Sequence, residues 1–381
     1  MAGCSLYYCS AVPSFLFENI ERNGSEAQRA RARDAMRMSH MHRGRRVMHA
    51  MVQRPFRVRP RVRWFEFMKA RMAAAPECEK DLRIYDAQHT QRLPGQLVRS
   101  EGDPATGDAA VDEAYDGLGA TFDLYLEEYG RCSLDDRDMP LIGTVHYGRS
   151  YDNAFFDGRQ MVFGDGDEDD PSLPASERLW NRFTIALDVM GHELTHGVVD
   201  RTAGLVYRGQ SGALNESIAD VFGSLVKQKK LGQEAADADW LIGEGLFTAN
   251  VNGKALRSMK DPGSAYDDPV LGKDPQPGHM SEYVRTMQDN GGVHINSGIP
   301  NKAFYLAAAS IGGFAWESAG RIWYEALISP TLSPRATFRQ FARETMMAAI
   351  DLFGPNSAEQ QAVSEAWEEV GVMVARAWLA A

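Results

Sequence analysis

Cysteine is scarce. The 381 residues hold four, Cys4, Cys9, Cys78 and Cys132. They lack the paired spacing of a thiolate metal site and are too few for a dense disulfide framework, so a reduced compartment is the simpler expectation. A bilayer-spanning run is missing too, because the longest nearly apolar stretch, 303–316, is interrupted by Gly312 and Gly313. No Lys or Arg precedes Arg22, and Phe15-Leu16-Phe17 makes a poor secretory signal. These absences predict a soluble chain with no membrane partner, either cytoplasmic or exported by a route without such a signal.

Positive charge is short overall, with a formal net charge of -11, yet fourteen Lys or Arg between Arg29 and Arg71 face only Asp34 and Glu66. A basic run of this kind suits nucleic acid only with interleaved aromatics or a recognition fold. Aromatics are absent from it until Phe56 and Trp64. It reads instead as an exposed, protease-sensitive linker around Pro55 and Pro60, with no nucleic-acid partner.

At 44% hydrophobic, the chain can bury a large core and divide into lobes. Residues 1–50 contain a short helix-prone segment after Pro13, and 51–76 form the basic linker. Residues 77–186 are mixed, with a helical run from Asp108 to Tyr129 and a hairpin from Tyr151 to Phe163 around Asp157-Gly158. The acidic stretch GDGDEDD that follows is a calcium loop or, more simply, a solvated acidic loop. In 187–381 the periodicity is helical: beginning ahead of this boundary at Trp180 and running to Val199, then Leu214 to Lys229, Asn301 to Ala309, Ala319 to Leu327, Ala336 to Leu352, and Ser357 to the end. The fold class is therefore α+β, a β-rich N-terminal lobe and an α-helical C-terminal lobe with a cleft at their junction.

At that junction lies MGHELTHG, 190–197. On a helix, His192 and His196 stand one turn apart on one face and can reach a single point. Zinc suits two imidazole nitrogens there, and Glu193, on a neighbouring strip, is free to take a proton. Twenty residues past His196, GALNESIAD offers Glu216 as a third ligand, leaving the fourth position open for water. Asp220 and Asn215 are placed to accept from the other ring nitrogens of the two histidines.

HELTH, GALNESIAD and QDNGGVHINSG, in this order, resemble the thermolysin family of zinc metalloendopeptidases from about Leu82 to the C-terminus. That family binds its zinc through two histidines and a glutamate. The resemblance implies a two-lobe fold with one zinc ion in the cleft, bound by His192, His196 and Glu216. It makes Glu193 the general base, His294 and Tyr207 the oxyanion donors, and Asp289 the residue that orients His294. It also implies that Asn153 and Ala154 grip peptide substrates along an edge strand. Arg257 would meet the carbonyl after the cut, and Phe183, Val189, Ile242, Leu246 and Leu256 would line the pocket for that residue's side chain, so cleavage falls before bulky hydrophobic residues. The stretch AVPSFLFENIERNG is similar to the short propeptide of the protealysin-like branch, which makes residues 1–50 an intramolecular inhibitor released by cutting in the linker. Cys4 or Cys9 then becomes a possible thiolate cap on the zinc.

One departure stands out. The family's double calcium site uses carboxylates of which Asp188, Asp239 and Glu244 are present, while Lys227 and Leu241 replace two others. Tight calcium binding is therefore not expected, and Lys227 is expected to act as an internal counter-ion. The leading reading is a monomeric zinc endopeptidase made as a zymogen. The alternative is a catalytically silent peptide-binding protein of the same fold.

Overall fold

The computed structural model describes residues 10–52, 78–168 and 170–373. Its first elements are two helices, α1 (Ser14–Asn23) and α2 (Glu26–Val52). Pro13 fixes an extended backbone ahead of α1. Leu16, Phe17 and Ile20 fall on one face of α1 and enter the main core together with Ala32 and Ala35 of α2. Burying side chains of the Leu, Phe and Ile size stabilises by about 1.5–3 kcal/mol each, so this segment is anchored to the rest of the chain. The helix corrects one expectation: from Arg29 to Val52 the basic run is α-helical and not linker. The expected linker and processing region lies outside the described residues from 53 onward, as do Cys4 and Cys9.

Five strands form one sheet: β1 (Leu82–Asp86), β2 (Gln96–Ser100), β3 (Leu141–Val145), β4 (Ala154–Phe156) and β5 (Gln160–Phe163), in the order β2-β1-β3-β5-β4. The three inner strands are mutually parallel and the two edges antiparallel. Parallel neighbours need a crossover, which α3 (Ala109–Asp123) supplies between β1 and β3. Asp108 starts α3 by accepting from the amides of Ala110 and Val111. The hairpin between β4 and β5 turns at Asp157, whose Oδ1 accepts from the amides of Arg159 and Gln160. β4 is left as an edge.

The second lobe is helical: α4 (Leu187–Arg201), α5 (Gly209–Leu231), α6 (Asp289–Asn296), α7 (Gly298–Ile311), α8 (Ala319–Leu327), α9 (Phe338–Phe353) and α10 (Ala358–Glu369). Short ribbons interrupt it, β6 (Leu241–Ile242) with β7 (Arg257–Ser258) and β8 (Asp267–Asp268) with β9 (Gly272–Lys273). Strands in one lobe and helices in the other give the expected α+β, two-lobe architecture. The helix expected from Trp180 begins only at Leu187. Trp180 instead bridges to Phe247, and a single tight turn spans 183–185. Apolar spacing alone does not separate a buried bridge from a helical turn. No helix among the described residues is long and apolar enough to cross a membrane.

Two further expectations are corrected. Cys78 and Cys132 form a disulfide across a separation of 54 residues, their Cα atoms 5.8 Å apart. The reduced-compartment reading fails because the fold brings together cysteines that no local spacing relates. Nor is the GDGDEDD loop solvated: Asp165 and Asp167 are buried. Arg31 of α2 reaches Asp152 at 2.8 Å, Asp167 at 2.7 Å and Asp170 at 2.9 Å, and donates to the Gly166 carbonyl at 2.8 Å. A guanidinium from the N-terminal segment thus holds the loop, where the sequence suggested water or calcium.

Candidate active site

Helices α4 and α5 pack against each other where Gly191 faces Gly223. A Cβ on Gly223 would stand 2.3 Å from the Asp188 carbonyl, so only glycine permits this approach. The close contact sets His192 and His196 on α4 opposite Glu216 on α5. All three are buried, and one ligand atom from each lies within 4.8 Å of the others. The two Nε2 atoms are 3.0 Å apart, with Glu216 oxygens 3.5 Å from that of His192 and 3.7 Å from that of His196.

The remaining ring nitrogens fix the protons. His192 Nδ1 is 2.7 Å from Asp220 Oδ1, and His196 Nδ1 is 2.8 Å from Asn215 Oδ1. A carboxylate and an amide oxygen only accept, so each Nδ1 donates and, in the neutral ring, each Nε2 presents a lone pair. Two lone pairs and a carboxylate converging on one buried point repel one another unless a cation lies between them. The donor set therefore fits zinc.

Outer partners lock this arrangement. Asp220 also accepts from Arg257 Nε at 2.9 Å and Nη2 at 2.8 Å, and from Asn301 Nδ2 at 2.8 Å. Burial by itself would raise the Asp220 carboxyl, but Arg257 and His192 outweigh it and hold it ionised far below the usual carboxylate range. Burial likewise opposes ionisation of Glu216, and the facing imidazoles, His294 first, reverse that. For metal-free His192, burial disfavours the charged ring, but Asp220 and Glu216 outweigh it and raise the pKa to about 9, so a bound cation would take the place of the proton on Nε2. The site is thus built around positive charge.

Glu193 is fully buried, and its Oε2 accepts from the Phe156 amide of β4 at 3.2 Å, which ties the α4 carboxylate to the edge strand. His294 lies across the site. Residues 289–292 are left-handed, a conformation that Asn and Gly tolerate, and the turn returns Asp289 to His294. Asp289 Oδ1 is 2.6 Å from His294 Nδ1, and its Oδ2 accepts from the His294 amide at 2.8 Å. Tyr207 donates to Glu216 and lies 3.2 Å from His294 Nε2.

The N-terminal segment reaches the edge strand. The Ala11 amide donates to the Ala154 carbonyl at 3.0 Å, and the Val12 amide to Asn153 Oδ1 at 3.0 Å. Phe183, Val189, Ile242, Leu246 and Leu256 are all buried in the main core, with Ile242 paired to Arg257 across the β6–β7 ribbon. Arg257 meets Asp220 as described, so it is joined to the His192 side of the cluster. Asn301, the Phe156 amide and Arg31 were not singled out in the sequence. The signal for Asn301 was a lone amide entering an apolar helix, whereas backbone donors and Arg31 leave none. Lys227 on α5 lies 2.7 Å from Asp239, 3.2 Å from Glu244 and 3.4 Å from Asp188.

Comparison with known proteins agrees in fold and in extent. Residues 68–200 match the family described as thermolysin metallopeptidase, catalytic domain, and residues 203–372 its alpha-helical domain. The chain is 49% identical over 371 residues to an extracellular metalloprotease of Pectobacterium carotovorum subsp. carotovorum, covering 97% of this chain and 98% of that one. It is 54% identical over 293 residues to protease PrtS of Photorhabdus sp. (strain Az29), covering 76% of each. Among solved structures, the precursor of protealysin, a metalloproteinase from Serratia proteamaculans, superposes with a TM-score of 0.80 at 48% identity, over 96% of this chain and 100% of that chain.

Proposed function

The chain belongs to the thermolysin family of metallopeptidases, and from that premise we propose how its residues divide the work of a zinc-dependent neutral endopeptidase made with a propeptide. The observation that carries the proposal is the pair of Nε2 lone pairs facing Glu216. His192, His196 and Glu216 would hold the zinc ion, which when bound supplies a Lewis acid that polarises the scissile carbonyl and makes water acidic. Glu193, positioned by the Phe156 amide, takes the proton of the attacking water and passes it to the leaving amine. His294, oriented by Asp289, and Tyr207 donate to the negative charge that develops on the carbonyl oxygen. Asn215 and Asp220 hold the two imidazoles in the required tautomer.

An extended peptide substrate would lie along β4 as Ala11 and Val12 do, using Asn153 and Ala154. On this reading residues 1–50 act as the inhibitor by holding the substrate's own hydrogen-bond positions, and cutting within 51–76 releases them. Arg257 takes the carbonyl after the cut. The apolar residues Phe183, Val189, Ile242, Leu246 and Leu256 select Leu, Phe, Ile or Val there. The lobes divide at 186–187, the working enzyme is monomeric, and Lys227 replaces calcium among Asp188, Asp239 and Glu244. Export fits the disulfide, since such bridges persist in oxidising compartments, and fits the extracellular relative.

The test is zinc content and casein hydrolysis by the chain freed of residues 1–52, with and without chelator. Activity that a chelator abolishes and zinc restores is expected. A chain that binds zinc and peptides yet never cleaves casein would establish the silent-binder alternative.

A further inference from the structure

The strand order places another cluster of metal-ligating side chains in the N-terminal lobe. β1, β3 and β5 are adjacent and parallel, so the loops leaving them emerge together at one edge of the sheet. Each loop brings one such side chain: His89 after β1, His146 after β3 and Asp165 after β5. Carboxyl ends of neighbouring parallel strands are where α/β sheets commonly gather ligands. One ligand atom from each of the three residues lies within 4.8 Å of the others. We propose that His89, His146 and Asp165 form a second site for a zinc-class divalent transition metal, separate from the His192–His196–Glu216 cluster.

The donor arrangement resembles that of the first site in its chemistry. Asp165 Oδ2 is 2.9 Å from His146 Nδ1 and 3.5 Å from His89 Nδ1. Ligands around a tetrahedral zinc with bonds of 2.0–2.1 Å sit about 3.3 Å apart, so the gathering needs only small side-chain rotations to close. The other face of His146 is tied as a ligand histidine usually is, with Nε2 3.2 Å from Asp108 Oδ2, while Asp108 Oδ1 caps α3. Two neutral imidazoles, two carboxylates and a divalent cation sum to zero charge. Nitrogen ligands favour zinc and its transition-metal neighbours over calcium or magnesium.

Both histidines are held in the left-handed backbone region, φ 55° and 51°, and the His89 amide donates to the His146 carbonyl at 2.9 Å. Such conformations persist where surrounding structure over-determines them. The site is reachable: the His89 side chain is 39% exposed, against 9% for Asp165. It also adjoins the propeptide contact, because Asp165 precedes the Gly166 carbonyl and Asp167 that hold Arg31. A metal here would keep the 164–170 loop in place once Arg31 has departed.

Stoichiometry tests this. Full-length wild type, His89→Ala and His146→Gln, stripped by chelator and dialysed against zinc, are analysed for bound metal, and cobalt(II) titrations are followed by visible absorbance. Wild type is expected to take about two equivalents and each variant about one, while His89→Ala, freed of residues 1–52, keeps wild-type casein hydrolysis. One equivalent in all three chains, with superimposable cobalt titrations, would overturn the proposal and leave His146 as an imidazolium between Asp165 and Asp108. No bound zinc in any chain would sink the catalytic-zinc reading as well, so the two failures are distinguishable.

Discussion

Replacing Glu193 by alanine removes the proton acceptor and none of the three metal-binding side chains. Casein hydrolysis by Glu193→Ala is expected to fall by a factor of about 10²–10⁴ or more, the range for losing a general base, with zinc content unchanged. A matching loss of zinc would assign Glu193 to the metal instead. Asp220→Ala should act on the metal, because Asp220 orients His192 and takes both Arg257 and Asn301. Zinc affinity is expected to drop by about 10–100-fold in a competitive chelator titration. His192 and His196 were legible in the sequence as a pair one helical turn apart and Glu216 as a third ligand offered by GALNESIAD, while the Gly191–Gly223 contact that brings the two helices together was not. Asn301 was not legible as a partner of Asp220, since its contact spans 81 residues and follows no spacing rule.

Among the elements, α2 carries the contact that sequence reading missed most completely. A basic run suggests solvent or a polyanion, yet Arg31 is drawn into Asp152, Asp167 and Asp170 by the fold of the β4–β5 region. Arg31→Ala leaves three carboxylates facing one another while the apolar anchors of α1 remain. The isolated N-terminal segment carrying this change is expected to inhibit the mature enzyme at least about tenfold more weakly, since losing a buried ion-pair partner costs several kcal/mol. Unchanged inhibition would show that Leu16, Phe17 and Ile20 suffice. At Lys227 on α5 the same electrostatics argues for a built-in cation. Zinc-loaded wild type should show the same melting temperature with and without excess calcium, and a rise of many degrees would restore the calcium site. The hairpin could be read from Asp157-Gly158 and the flanking apolar runs, and the edge position of its first strand only through the family resemblance. The bridge at Trp180 could not, because its partner lies at Phe247.

Across the whole molecule, one core runs through the helical N-terminal segment, the sheet and the helical lobe, and the Cys78–Cys132 bridge closes a loop of 54 residues at the start of the described peptidase region. In the chain-entropy model such a loop is worth about 4 kcal/mol, so Cys78→Ser with Cys132→Ser should lower the denaturation midpoint clearly while leaving the zinc cluster intact. The two-lobe division was legible because hydrophobic periodicity changes near the HELTH motif. The bridge was not, because it joins residues distant in sequence, and the N-terminal docking was legible only through the likeness to a short propeptide, without the Arg31 contacts that secure it. We propose that this chain is a zinc endopeptidase held inactive by its own N-terminal segment. The most direct test is incubation of the purified, zinc-loaded full-length chain beside Glu193→Ala, followed by intact-mass analysis and a casein assay. Cleavage within 51–76 and casein activity in the wild type alone are the expected result. Wild type that stays intact and remains inert even after trypsin removes the N-terminal segment would overturn that proposal.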